Sequence, residues 1–195
     1  MPDLLLELFS EEIPARMQKA AGEQLTSKLG DALKAAGLTF DGIEGVYGPR
    51  RLTAHVTGLP ERSADVREER KGPKVGAPDK AVEGFLRGAG LSSIDEAEVR
   101  TDPKKGEFYV AVVETKGRET TEIVAHAVPE IVRGFAWPKS MRSGTSDLRW
   151  VRPLQRIVCV FDGAAVPFDV DGLASGNETE GHRVMGRGPF TITGW

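Results

Sequence analysis

Apolar residues recur along this chain with different periods, and each change of period marks a new element. Residues 4–9, Leu-Leu-Leu-Glu-Leu-Phe, are a short apolar run that reads as a buried strand. From Ile13 the spacing becomes four. Ile13, Met17, Ala21, Leu25, Leu29 and Leu33 then share one face of a helix that Gly37 stops. Ser10 is placed to cap this helix, Glu11 and Glu12 suit its positive end, and Pro14 is tolerated in a first turn. Residues 49–60 alternate instead. Leu52, Ala54 and Val56 point one way and Thr53, His55 and Thr57 the other, a half-buried strand that leaves His55 at the surface.

Residues 61–78 are highly charged, keep no period and hold four Gly and Pro residues, so they read as a loop with a short helical piece near 63–70. A short amphipathic helix follows, with Val82, Phe85, Leu86 and Ala89 inward and Gly90 as its C-cap. Residues 104–115 give a second strand, entered through a Lys-Gly turn. Residues 120–135 are helical by period, but Pro129 predicts a kink or two short helices, with His126 packed among apolar neighbours. The runs 155–161 and 166–172, joined by Asp-Gly-Ala-Ala, predict a hairpin, and 175–183 and 189–193 hold two more short strands. The order predicts an α+β fold, a mixed or largely antiparallel sheet with packed helices. The chain reads as one module over 1–195 with a possible sub-boundary near 61–78.

Composition changes little in this picture. The 195 residues carry a net charge of -3, with 39% apolar and 28% charged, an ordinary globular mixture. No apolar run approaches the roughly 20 residues that span a bilayer, and the carboxylates of the N-terminal run argue against a signal peptide. Cys159, the single cysteine, lies in an apolar run and reads as a buried, inert residue of a reducing compartment. Candidate chemistry is sparse: the glycines match neither a phosphate loop nor a dinucleotide fingerprint, and His55, His126 and His182 lack metal-ligand spacing. No catalytic residue, metal ligand or cofactor site is read from these residues.

One stretch stands out. Residues 137–153, WPKSMRSGTSDLRWVRP, set Lys139, Arg142, Arg149 and Arg152 beside Trp137 and Trp150, with Asp147 as the one acid. Arginine and lysine neutralise phosphates and tryptophan can stack on unpaired bases, so these six residues are candidates for RNA binding. Arg50, Arg51, Lys71 and Lys74 are weaker candidates of the same kind. The same loop can equally hold itself together by cation–π contacts, or pair with acids of a partner chain.

The segments LLLELFSEEIPARM, PRRLTAHVTGL, REERKGPKVGAP, GFLRGAG, WPKSMR, LRWVRPLQRIVCVFDG, VPFDVDG and SGNETEGHR, in this order, resemble the N-terminal region of the beta subunit of bacterial glycyl-tRNA synthetase, the tetrameric form with separate alpha and beta chains. The likeness runs from residue 2 to about residue 190. It departs at Ser143, where that family commonly has an aromatic residue, and at Gln155, often a histidine there. The family's beta chain is several times longer.

The resemblance implies that the alpha subunit activates glycine with ATP, so this segment needs no cofactor. It also implies that the beta subunit binds tRNA-Gly and supports aminoacylation in the cytoplasm, with neither membrane nor DNA as partner. The family's anticodon-binding-like and phosphohydrolase-like regions lie beyond this chain. Part of the family's beta subunit resembles the editing-type domain of the phenylalanyl-tRNA synthetase beta chain. The reading is therefore a non-catalytic module that contacts tRNA and the alpha subunit. A hydrolytic editing-type domain or its remnant, and a purely structural docking domain, stay open beside it.

Overall fold

The computed structural model describes residues 2–102, 106–186 and 188–195. In chain order the elements are β1 (Leu4–Ser10), α1 (Ala15–Ala35), β2 (Gly42–Gly48), β3 (Arg51–Thr57), β4 (Val66–Lys74), α2 (Asp79–Ala89), β5 (Glu98–Asp102), β6 (Gly106–Thr115) and α3 (Thr120–Arg133). Then come β7 (Leu154–Phe161), β8 (Ala164–Ala165), β9 (Asp169–Val170), β10 (Leu173–Gly176), β11 (Glu178–Thr179) and β12 (Phe190–Thr191). Three helices with mostly antiparallel strands make the chain α+β, as its pattern predicts. It divides into two compact units: residues up to Ser63 together with Arg118–Trp195, and the inserted Ala64–Gly117. No described helix is long and apolar enough to cross a membrane.

The larger unit is built on a sheet of order β2-β3-β1-β7-β10-β9, with β8 paired to β7. Only β10 runs parallel to its neighbour β7. All seven residues of β1 are buried, because strands flank it on both sides and both of its faces are covered. Leu4, Leu6 and Leu8 meet Leu52, Ala54 and Val56 of β3 and Ile157, Cys159 and Phe161 of β7 in the core under α1 and α3. Each buried Leu, Ile, Val or Phe among them contributes about 1.5–3 kcal/mol of transfer free energy.

The face of α1 is the expected one: Met17, Ala21, Leu25, Leu29 and Leu33 are all buried. Its start is not. Ser10 ends β1 and its hydroxyl donates to the Glu11 carbonyl, so the capping role expected of it is not made; the helix begins after Pro14, and Glu11 and Glu12 precede it. The reason is the strand: the Ser10 N–H bond to the Arg50 carbonyl holds Ser10 in β1, four residues ahead of Pro14 at the helix start. At the other end Gly37, at φ +78°, donates to the Lys34 carbonyl and Leu38 to the Leu33 carbonyl, the paired bonds of a Schellman cap.

Four further expectations for this unit are corrected. β3 is buried on both faces, and His55 is only 6% exposed. Its Nδ1 lies 3.3 Å from Glu44, its Nε2 3.3 Å from Asp3, and its ring stacks on Trp195 at 4.8 Å. The outer sheet face is covered by the returning C-terminal segment, which no alternation in residues 49–60 could disclose. β2 was not expected, since its three glycines hide it, and it lies against α1 where side chains are lacking. A Cβ on Gly45 would fall 2.8 Å from Thr26 Cγ2, and one on Gly22 2.7 Å from Tyr47 Cδ1. α3 is one helix with Pro129 buried inside it, and His126 is exposed on its outer side. Packing of Ile123, Val124, Val128, Ile131 and Val132 on the sheet outweighs the one backbone bond that proline removes. Finally, the hairpin after β7 turns at Asp162–Gly163, both at positive φ, but stops early. Val166 N–H still bonds Cys159, and then Pro167, with no N–H to offer, ends the ladder.

In the inserted unit β4 and β5 pair antiparallel with β6 on either side. This corrects the loop and helical piece expected over residues 61–78. Val-Arg-Glu-Glu-Arg-Lys has low strand propensity, and pairing with the apolar β6 overrides it. α2 packs beside β4: a Cβ on Gly72 would sit 2.8 Å from the Phe85 ring, and Arg70 bonds the Gly88 carbonyl. Gly90 is its left-handed cap, as its sequence predicts. Arg100 grips Glu69 with two bonds of 2.9 and 2.7 Å, which hold that carboxyl below its ordinary pKa. The Lys-Gly turn expected before β6 lies outside the described residues.

The strands leaving and re-joining the larger unit are laced together at a neck. Ser63 N–H donates to the Arg118 carbonyl at 2.9 Å, Arg118 N–H to Ser63 Oγ at 3.0 Å, and Thr120 N–H to the Glu61 carbonyl at 2.8 Å.

Two outcomes follow for the larger unit. Leu25 is fully buried, so Leu25→Ala should lower stability by about 2–5 kcal/mol. Lys28→Ala, on the helix's half-exposed side, should stay within about 0.5 kcal/mol. Denaturant midpoints compare them, and equal midpoints would place the wrong face inward. Burial also pushes the Cys159 thiol far above its ordinary pKa, so the folded chain should resist alkylation at neutral pH and react fully once denatured. Rapid labelling of the native chain, read by mass spectrometry, would contradict a closed β7.

Candidate nucleic-acid interface

The basic loop begins where α3 ends. Phe135, Trp137 and Trp150 form a three-ring cluster with centroids 4.8–5.0 Å apart. Trp150 is 2% exposed, and Trp137 is partly buried against the core. Neither indole N–H finds an acceptor among the described residues. The stacking platform expected of Trp150 is therefore corrected. A large apolar ring gains more from the core than from solvent, and these tryptophans serve as anchors for the loop.

Trp150 also exchanges two backbone hydrogen bonds with Met141, of 2.8 and 3.1 Å, which closes residues 142–149 into a loop. Arg142 and Arg149 are the residues immediately inside that closure. Arg142 pairs with Asp147 at 3.2 Å, both well exposed, a contact that contributes little in water. Lys139, Arg149 and Arg152 are exposed, and Lys139 and Arg149 make no ion pair among the described residues. The loop is thus closed at Met141 and Trp150, with Arg142 and Arg149 inside the closure and Lys139 and Arg152 just outside it.

The weaker candidates separate. Lys71 and Lys74 lie on β4 of the inserted unit, both exposed, with the Lys71 ammonium 5.7 Å from the Phe108 ring centre. Arg50 and Arg51 stand at the β2–β3 turn, with their guanidinium carbons 4.5 and 5.2 Å from the centre of the Phe9 ring. Arg51 is committed to structure: it donates to Glu7 at 3.1 Å and to the Glu180 carbonyl at 2.7 Å. Arg50 donates to Gln155 Oε1 at 3.0 Å, while its Nε is buried without an acceptor.

Around Arg50 the structure assembles Glu11, Arg156, Glu180 and Arg183, which sequence reasoning did not single out as site residues. A cleft of about 640 Å³ is lined by Arg50, Gln155, Arg156, Glu180 and Arg183, and a second of about 710 Å³ by Phe9, Pro49, Arg51, His182 and Val184 among others. Arg156 pairs with Glu180 at 2.9 Å, and Glu11 is shared by Gln155 at 2.7 Å, Arg183 at 3.4 Å and Arg50 at 3.9 Å. Four of the segments that carry the family resemblance, those containing Glu11, Arg50, Gln155 and Arg183, meet here. No described group of three or more His, Cys, Asp or Glu is placed to hold a metal ion.

A model of the glycyl-tRNA synthetase beta subunit family matches residues 4–195. The glycine--tRNA ligase beta subunit of Ruegeria sp. (strain TM1040) is 53% identical over 199 residues, an alignment that takes in 100% of this chain and 29% of that protein. The chain thus spans less than a third of the length of this curated relative. With both matches extending over essentially all of its residues, the chain belongs to the glycyl-tRNA synthetase beta subunit family.

Proposed function

We propose that this chain is the N-terminal module of a glycine-tRNA ligase beta subunit, that it contacts tRNA-Gly and the alpha subunit, and that it carries no catalytic centre of its own. Activation of glycine with ATP then falls to the alpha subunit, in the cytoplasm. The observation that carries the RNA half is the loop 137–153. It is anchored by the buried Trp150 and the partly buried Trp137, and Lys139, Arg142, Arg149 and Arg152 are left in solvent. Fixing the ends spares the loop much of the ordering entropy on binding. Phosphate contact by such cations is insensitive to sequence and weakens steeply with salt. The subunit half is supported by the matched relative, which is named a beta subunit. A groove between α1 and α3 is consistent with it, with an apolar floor of Ala32, Ala35, Ile123 and Ala127.

The test is tRNA-Gly binding by fluorescence anisotropy over roughly 50–200 mM salt. The parent chain should bind weakly and lose affinity across this range. Replacing Lys139, Arg142, Arg149 and Arg152 by alanine should weaken binding and flatten the salt dependence. A quadruple variant that binds as the parent does at every salt concentration would remove the loop from the interface.

A further inference from the structure

Residues 134–140 carry the chain from the end of α3 to the closed part of the basic loop, and they belong to no helix or strand. Two backbone bonds finish α3. Gly134 N–H donates to the Glu130 carbonyl at 2.9 Å, and Phe135 N–H to the Val132 carbonyl at 3.3 Å. The next residue, Ala136, is held from another helix. Gln24 of α1 donates from Nε2 to the Ala136 carbonyl at 3.0 Å, and its Oε1 accepts from the Ala136 N–H at 2.9 Å. We propose that Gln24 is a positioning residue for the tRNA contact, which clamps the root of the loop 137–153 and so presents the cations beyond it in one fixed direction. The proposal rests on the reading of that loop as a tRNA-binding element and adds to it a residue that touches no RNA.

A primary amide sets one donor and one acceptor side by side, and the N–H and C=O of one residue offer the matching pair. Gln24 thus gives Ala136 what a neighbouring strand would give it. The match also fixes which end of the amide faces which group, because the reversed amide would set donor against donor and oxygen against oxygen. Glutamate has the length but no donor, and methionine has the length but neither group. Gln24 is half-buried and stands next to Leu25, which is fully buried. α1 packs against α3 over the core, so the clamp refers the loop's root to the body of the larger unit rather than to the last turn of α3.

Both bonds are open to water, and such bonds add little to overall stability. What they supply is direction. The Phe135 and Trp137 rings meet at 4.9 Å, but apolar contact is non-directional and does not by itself aim the chain. Lys139 lies between two clamps, after Ala136 and before Met141, whose pair of bonds to Trp150 closes the rest of the loop. Residues 137–140 make no backbone-to-backbone hydrogen bond among the described residues, so the path of Lys139 is set by those two ends. Without the first clamp the closure would remain but the segment would hinge at Phe135. Binding would then have to order it, which lowers affinity without changing the number of charges.

The experiment measures tRNA-Gly binding by fluorescence anisotropy for the parent chain, Gln24→Glu and Gln24→Met. The methionine variant leaves the net charge as it is and so separates loss of the clamp from the added charge of glutamate. Each variant should weaken binding about fivefold, the order of one net hydrogen bond. The salt dependence over roughly 50–200 mM should keep the parent's slope, because no phosphate contact is removed. Denaturant midpoints should match the parent's, and amide hydrogen exchange should quicken at residues 136–141 alone. In the chain lacking Lys139, Arg142, Arg149 and Arg152, Gln24→Met should have no further effect on binding. Parent-like affinity of Gln24→Met, or unchanged exchange at 136–141, overturns the proposal. So does a loss that persists in the chain lacking the four cations, which would make Gln24 a direct RNA contact, or a lowered midpoint with exchange spread over α1 and α3, which would make it a residue of general stability. If the parent binds tRNA-Gly and the four cations matter but Gln24 does not, the clamp falls and the loop reading stands; if the parent does not bind, both fall.

Discussion

Glu7 sits in the middle of the most buried strand of the protein, and a carboxylate there must be matched or it destabilises the sheet by several kcal/mol. It is 8% exposed. Arg51 reaches it from the neighbouring strand β3, and Thr179 donates to it from β11, 172 positions away in sequence. The Thr179 bond ties the C-terminal segment across the outer face of the sheet. Arg51 then ties that segment down again through the Glu180 carbonyl. The turn with Gly181, His182 and Arg183 follows directly in the chain, so both clefts inherit their position from the needs of one buried acid.

The same covering explains why the two sheet faces differ. On the helix side Leu4, Leu6 and Leu8 pack against apolar partners. On the other side Leu5, Glu7, Thr53 and His55 are buried beneath a strap whose own strands, β11 and β12, have two residues each. That face is held by hydrogen bonds, ion pairs and ring stacking more than by transfer free energy. Directional contacts of that sort set geometry well.

Elements whose apolar residues keep a period were legible in the sequence. α1, α2 and β6 stand where the pattern puts them because their apolar residues keep one face, and β1 because an unbroken apolar run marks a strand buried on both. β4 was not legible, since its Arg, Glu and Lys residues are made a strand by β6 alone. Trp150 was read for its chemistry, but composition does not distinguish a platform from an anchor; its burial decides that. His55 looked exposed because alternation reports one covered face and is silent about a second. The clefts could not be read at all: Glu11, Arg50, Gln155 and Arg183 are scattered over the chain and meet only through the register of β1 with β3 and β7.

The laced neck at Ser63 and Arg118 has a consequence for how such a chain can be assembled. Residues 64–117 leave and return through two adjacent points held by short backbone bonds. Once that insert has its own hairpins, its ends are already side by side, and the larger unit no longer bears the closure entropy of a long flexible loop when α3 docks. The insert therefore acts as a cassette. A change of length within residues 64–117 would leave the spacing of these two points, and so the register of the larger unit's sheet, unaltered.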